Sequence, residues 1–515
     1  MRRRTVLTGL AAASSVPLVA ACSGGGEPVD TGEGQGGGAA GGGAGALVVA
    51  ISAQPDQLDP HRTTAYASFQ VLENVYDTLV VPAADDLTME PSLAESWETS
   101  EDQLTWTFTL REGVTFHSGK ELTAEDVVFS YRRIIDQELA NSYRFATVAD
   151  VAAPDERTVV VTLSSPTPNL LSQVGGFKGM AVLPSGVDES TLTTQADGTG
   201  PFRLDGFSAS EVTLSAFDGY WGEAPTVTGV TYQFITEPAA ALTALQSDQV
   251  QWTDNVPPQQ VASLADDDTV ELGNVPSVDY WYLAMNCRTA PFDDPAVRRA
   301  VATAIDRAAI TEAAKFDAAA PNQTAIPEDS FWYLDYAPYE ADVDAARALL
   351  EGAGVSGPVT MGLMVTSEYP ETVTAAQVIA NQLEPLGITV EIQTEDFATW
   401  LDRQSQGDFD AFMLGWLGNI DPFDFYDSQH RTDASNNYHG YSNPVTDDLL
   451  ERAATESDQD ARKDLYDQAA RQIVDDASYV YLYNPNTVQA WKPGITGYEA
   501  RADKAVNFET VQLPS

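Results

Sequence analysis

The chain has 515 residues, 43% of them hydrophobic, enough for two or three domains with buried cores. Lys and Arg number 27 against 76 Asp and Glu, a formal net charge of −49 that repels nucleic acid and anionic lipid and makes both poor partners. Beyond the N-terminus no apolar run reaches the ~18 residues of a membrane-spanning helix.

The first 22 residues read as an export signal rather than as structure. Arg2, Arg3 and Arg4 precede short apolar stretches at 6–13 and 16–21, and Val19-Ala20-Ala21-Cys22 has the form of a lipobox. In such a signal the cysteine, here Cys22, carries lipid and becomes the new N-terminus. Arg3-Arg4-Thr5-Val6-Leu7 also resembles a twin-arginine signal, which leaves the export route open. The Gly-rich segment 23–46 cannot bury apolar surface and reads as a tether with a reach of about 25–30 Å. With Cys22 lipidated, Cys287 lacks a disulfide partner and reads as a small buried filler.

The mature fold is expected to start near Leu47, where LVVAIS reads as a buried strand before the turn-rich QPDQLDPH. Leu104, Trp106, Phe108 and Leu110 alternate with Thr105, Thr107 and Thr109, the period of a half-buried strand. Gly113 and Ser118-Gly119 mark turns around Val114 and Phe116. Thr123 and Asp126 then have capping-box spacing ahead of a helical face bearing Val127, Tyr131 and Ile135. Asp294-Pro295 predicts an N-cap and first helical residue leading through Val297, Val301 and Ile305. A second helix is predicted over 372–386, stopped by Gly387 before a strand at 388–392. Helices followed by short strands indicate an α/β layered fold.

The wording WTFTLREGVTFHSGKELTAEDVVFSY closely resembles the signature of the extracytoplasmic solute-binding proteins of family 5, the peptide- and nickel-binding receptors of ABC importers. Gly198-Thr199-Gly200-Pro201-Phe202, residues 283–307, residues 409–421 and Gly440-Tyr441-Ser442-Asn443-Pro444 extend the resemblance along the chain. It implies an α/β, two-lobed periplasmic-binding-protein type II-like fold with an extra subdomain in lobe 1. Lobe 1 is placed at 47–280 plus 485–515, its subdomain at 67–194, and lobe 2 at 281–484. The aromatic segments Tyr280-Trp281-Tyr282-Leu283 and Tyr479-Val480-Tyr481-Leu482-Tyr483 are implied as the hinge. The implied function is a monomeric, lipid-anchored receptor on the outer face of the cell membrane. It captures an oligopeptide or peptide-like solute and delivers it to a permease, with no cofactor and no catalysis.

The chain contains no phosphate loop of the GxxxxGK type, no HExxH, no GxSxG and no CxxC. None of its four histidines, His61, His117, His430 and His439, is paired at metal-ligand spacing, although His430 and His439 flank one loop and can converge. Structural roles are expected for all four, with no metal site. Aromatic and small residues concentrate at 394–425. Phe397 and Trp400 precede Met413, Gly415, Trp416, Leu417, Gly418, Asn419 and Asp421, and the two glycines allow a ligand to approach the backbone. Strand addition by an extended ligand is one way to use such a surface. Trp281 and Tyr282 of the implied hinge join this candidate set.

The resemblance carries a further implication at four positions. Peptide receptors of the family have an acidic residue three places after the matching Trp, where this chain has Asn419. Arg positions of some receptors hold Gln404 and Met413, and a first-lobe Glu position holds Gln54. A charge-assisted hydrogen bond is worth roughly twice a neutral one, so a simple peptide with a free ammonium is expected to bind less favourably. Asp421 either substitutes for the missing carboxylate or caps the turn at Pro422. A metal chelate or an oligosaccharide is the alternative ligand, and a secreted hydrolase the alternative class.

Overall fold

The threonine-interleaved run forms the strand Thr105–Leu110, with Trp106, Phe108 and Leu110 buried. It lies between Ala94–Thr99 and Thr158–Leu163 in an antiparallel four-stranded sheet completed by Val148–Ala152. Helix Ala124–Asp136 packs on this sheet. The Asp126 carboxylate accepts from the Thr123 N–H at 2.9 Å and from its hydroxyl at 3.0 Å, so the capping-box pair forms. The buried face runs through Val127, Tyr131 and Ile134, while Ile135 stays at the rim, because four- and three-residue steps keep the first three in line. Together with Phe108, Leu110, Val159 and Val161 they form a separate hydrophobic core.

The structure is a computed structural model that describes residues 45–514 except 85, 86, 177, 317, 356, 418 and 419. The export signal, Cys22, Gly418 and Asn419 therefore lie outside the described residues. Among the described residues no helix is long and apolar enough to cross a membrane.

Val80–Pro82 and Met89–Pro91 pair as a two-stranded ribbon, and twelve further strands form one sheet serving two lobes. In the first lobe Leu47–Ile51 runs parallel to Gly229–Phe234 and Trp252–Thr253, with Glu211–Ala216 and Phe202–Phe207 added antiparallel. In the second lobe Val359–Thr366 runs parallel to Ile388–Glu395 and Ala411–Trp416, and Tyr280–Met285 pairs antiparallel with the latter. One 13-residue strand, Tyr479–Trp491, joins the lobes. Its first half pairs with Tyr280–Met285, setting Trp281 opposite Tyr483 and Ala284 opposite Tyr479. Its second half pairs with Glu271–Pro276 and Trp252–Thr253.

Second-lobe helices start and stop largely where the sequence marks them. Pro295–Ala304 is capped by Asp294, which accepts from the Ala296 N–H at 2.8 Å, and Ile305 is already the C-terminal cap. Helix Pro370–Leu383 begins two residues before expectation, because Pro370 is preset for the first helical position. It tightens into the 3₁₀ turn Glu384–Leu386, and Gly387 at φ +77° turns the chain into Ile388–Glu395.

Alternation across the central strands feeds two cores. Trp281, Leu283, Met285, Ala411 and Met413 point into one, against helices that include Val297, Val301 and Ile379. Tyr280, Tyr282, Ala284, Phe412 and Leu414 point into the other, with Trp400, Phe425 and Tyr466.

Candidate functional site

A cavity of about 550 Å³ opens at the C-terminal end of the strand Ala411–Trp416. This lies inside the ~300–1,000 Å³ range typical of small-molecule sites. Trp281, Leu414, Gly415, Trp416 and Leu417 supply the strand-end wall. Helix Phe397–Gln406 adds Phe397, Leu401 and Gln404, spaced i, i+4 and i+7 on one face. Asp396 fixes the start of that helix by accepting from the Thr399 N–H at 3.1 Å. The opposing wall comes from the first lobe, with Tyr66, Phe69 and Tyr76, and from the C-terminal loop with Arg501, Asp503 and Lys504. Asn141, Tyr143 and Arg144 reach it from the antiparallel unit.

The aromatic wall is built from ring-on-ring contacts. Trp281 stacks on Tyr483 at 6.2 Å and meets Tyr369 edge-on at 5.8 Å, and Tyr369 meets Phe397 edge-on at 5.6 Å. Three cations on the lining already face carboxylates. Arg144 pairs with Asp424 at 3.1 Å, Arg501 with Asp503 at 2.8 Å and Lys504 with Asp279 at 2.8 Å. Asp77, also on the lining, accepts from the Thr199 hydroxyl at 2.8 Å and the Trp221 N–H at 2.9 Å, and burial pushes its carboxyl upward. The chemistry on offer is apolar and aromatic, with charge largely compensated within the protein.

Of the residues expected from sequence, Trp281, Phe397, Gln404, Gly415, Trp416 and Leu417 meet on this cavity. Tyr282, Trp400 and Met413 do not. Tyr282 and Met413 lie deeper along their strands and point into the cores, Tyr282 stacked on Tyr479 at 4.0 Å. Trp400 sits on the inner face of its helix, fully buried, stacked on Phe397 at 6.0 Å and edge-on to Phe412 at 5.3 Å. Gln54 is exposed and off the lining.

Asp421 is committed to the protein itself. It caps helix Pro422–His430 through the Phe423 N–H at 3.0 Å and receives two bonds of 2.6 Å from Arg462. Gly415 lines the cavity, but the space beside its α-carbon is filled by the Trp281 indole rather than left open for a ligand.

The histidines take structural positions. His430 and His439 do converge, Nδ1 of the first and Nε2 of the second each 2.9 Å from the Ser478 hydroxyl, in full burial that pulls His430 down to about 3. His61 approaches the Ala181 carbonyl at 2.8 Å and His117 the Gly200 carbonyl at 2.9 Å. Cys287 is half-buried rather than a core filler, its thiol raised by desolvation. Sequence reasoning missed Tyr66, Phe69 and Tyr369. The three- and four-residue steps from Tyr66 to Phe69 to Glu73 were a usable helical signal, whereas Tyr369 stands alone before Pro370.

A two-lobed α/β fold with an aromatic-walled cavity defines a solute-binding protein. The profile described as bacterial extracellular solute-binding proteins, family 5 Middle, matches residues 88–437. The dipeptide-binding protein of Escherichia coli K12 is 28% identical over 505 residues, covering 91% of this chain and 94% of that protein. Among solved structures, the periplasmic binding protein DppA of Helicobacter pylori in complex with the peptide STSA superposes with a TM-score of 0.84 at 26% identity, covering 92% of this chain and 98% of that one. AgaA of A. tumefaciens R10 in complex with agropinic acid gives 0.83 at 26% identity, covering 92% and 99%. The chain belongs to the bacterial extracellular solute-binding proteins of family 5. It is a transport receptor, not an enzyme.

Proposed function

We propose that this receptor captures an oligopeptide or peptide-like solute by closure of its lobes and hands it to the permease of an ABC importer. The observation that carries the reading is the cavity whose aromatic walls surround cations already matched to protein carboxylates. Such a site favours solutes whose ends are masked over those bringing a free ammonium and carboxylate. The peptide-binding relatives support the solute class, and the agropinic acid complex supports a modified, non-peptide solute as the second reading. The moving bodies are 47–280 plus 485–515, including the subdomain 67–194, against 281–484, hinged on Tyr280–Met285 and Tyr479–Trp491. The receptor acts as a monomer, tethered by residues 23–46 to a lipid on Cys22.

Native mass spectrometry of the gently purified protein tests the solute. A single peptide-like mass bound one to one is expected, and a metal chelate or an oligosaccharide replaces the peptide reading. Calorimetry against unmodified dipeptides tests the masked-end requirement, which tight binding overturns. Asn419→Asp is expected to weaken the native solute and improve simple peptides. Replacing Cys22 with Ala is expected to abolish the lipid mass and move the protein off the membrane.

A further inference from the structure

Side chains of the antiparallel unit reach across to one turn of the second lobe. Asn169 donates to Asp421 at 3.1 Å, and Arg144 pairs with Asp424 at 3.1 Å. The latter two side chains are only 3% and 2% exposed. Between these contacts the Gly176 backbone lies against Ile420, whose Cδ1 would stand 3.2 Å from a methyl placed on that glycine. Asp421 and Asp424 open helix Pro422–His430, and Arg462 braces Asp421 from helix Gln459–Asp475.

A buried ion pair contributes little net stability, yet a member left buried without its partner is strongly destabilising. Contacts of this kind suit a two-state junction: buried and matched when the surfaces meet, hydrated on both sides when they part. The junction is also tied to the cavity. Arg144 is on the cavity lining, and so are Trp416 and Leu417, which precede Asp421 in the sequence by five and four residues.

We propose that Arg144 and Asn169, clasping Asp424 and Asp421, form the latch of the closed receptor, so that the antiparallel unit governs how fast solute escapes. This rests on the receptor reading above. A latch raises apparent affinity by raising the fraction of closed protein, without any added contact to the solute.

The test uses the full chain with Asp424→Asn and, as a milder variant that strands no charge, Asn169→Ala. Small-angle scattering on solute-free protein reads the open fraction, and stopped-flow dissociation of N-acetyl-trialanine amide reads escape. Both variants are expected to enlarge the radius of gyration and to speed dissociation, Asp424→Asn by tenfold or more. Arg144→Ala combined with Asp424→Ala is expected to be no faster than either alone, as for a shared contact. A lower melting temperature with unchanged scattering and unchanged dissociation overturns the latch. So does an effect of Arg144→Ala that Asp424→Asn does not reproduce, since Arg144 would then act on the solute directly. If wild type does not bind the blocked peptide, the masked-end reading fails while the scattering comparison still decides the latch.

Discussion

Trp281 lies flat on the backbone of its cross-strand partner Gly415, so that a methyl group added there would come within 2.7 Å of the indole Cε2. The glycine and the tryptophan are one unit of the cavity wall. Gly415→Ala is expected to push the ring off its stack with Tyr483 and to cost about 1–3 kcal/mol by overpacking. Solute affinity should fall with it. Urea unfolding and calorimetry on the same variant check both, and an alanine tolerated without loss of either would show that the ring has room to move.

Arg462 and Asp421 are coupled as tightly, through two bonds of 2.6 Å in a largely buried site. Arg462→Met leaves the carboxylate uncompensated and is expected to cost about 3–5 kcal/mol. Adding Asp421→Asn should recover part of that loss, because the stranded charge goes while the capping oxygen stays. Chemical denaturation of the single and double variants measures the recovery.

Asp427 offers a pH-dependent test. Burial pushes its carboxyl up to about 7, against partial relief from Arg431 at 3.6 Å. The unfolded chain releases this proton near pH 4 and the folded protein only near pH 7, so the aspartate costs stability progressively as pH rises between those values. Asp427→Asn is therefore expected to be more stable than wild type at pH 8, by something on the order of 2–4 kcal/mol, with the difference vanishing below about pH 4. Melting curves across that window decide it. An unchanged difference at all pH values would mean the group does not titrate there.

The charge of −49 predicts a salt response of the whole fold. Screening length shrinks from ~30 Å at 0.01 M salt to ~3 Å at 1 M. Self-repulsion among surface carboxylates should weaken accordingly, and the melting temperature should climb by several degrees over that range. A flat or falling curve in calorimetry would place the acidic groups in compensating networks instead.

What was legible in the sequence was local. The alternation through Trp106, Phe108 and Leu110, the Thr123–Asp126 cap and the Asp294-Pro295 start are each set within a few residues, and all appear in the structure. The site was half legible. Phe397, Gln404 and Trp416 share a cavity with Trp281, but Trp400, grouped with them by closeness in sequence, and Met413, marked also by the family resemblance, turn into the cores. Period does not separate Trp400 from Phe397 and Gln404, since it stands three residues after the first and four before the second on the same side of the helix; its burial against Phe412 is set by the packing of the fold. The opposing wall was hidden for a different reason. Arg501 and Lys504 lie in a turn-rich terminal loop with no periodicity, and only the fold carries them across from residue 416.

The strand Tyr479–Trp491 binds partners from both lobes along one unbroken backbone. A joint of that kind bends by adding or removing twist, shared over many hydrogen bonds, rather than by swinging on a loose link. Each capture and release would then return the lobes to the same register, and the travel would be bounded by how far a ladder can twist before it breaks. A nick in an exposed loop should leave such a molecule in one piece, its halves still laced together.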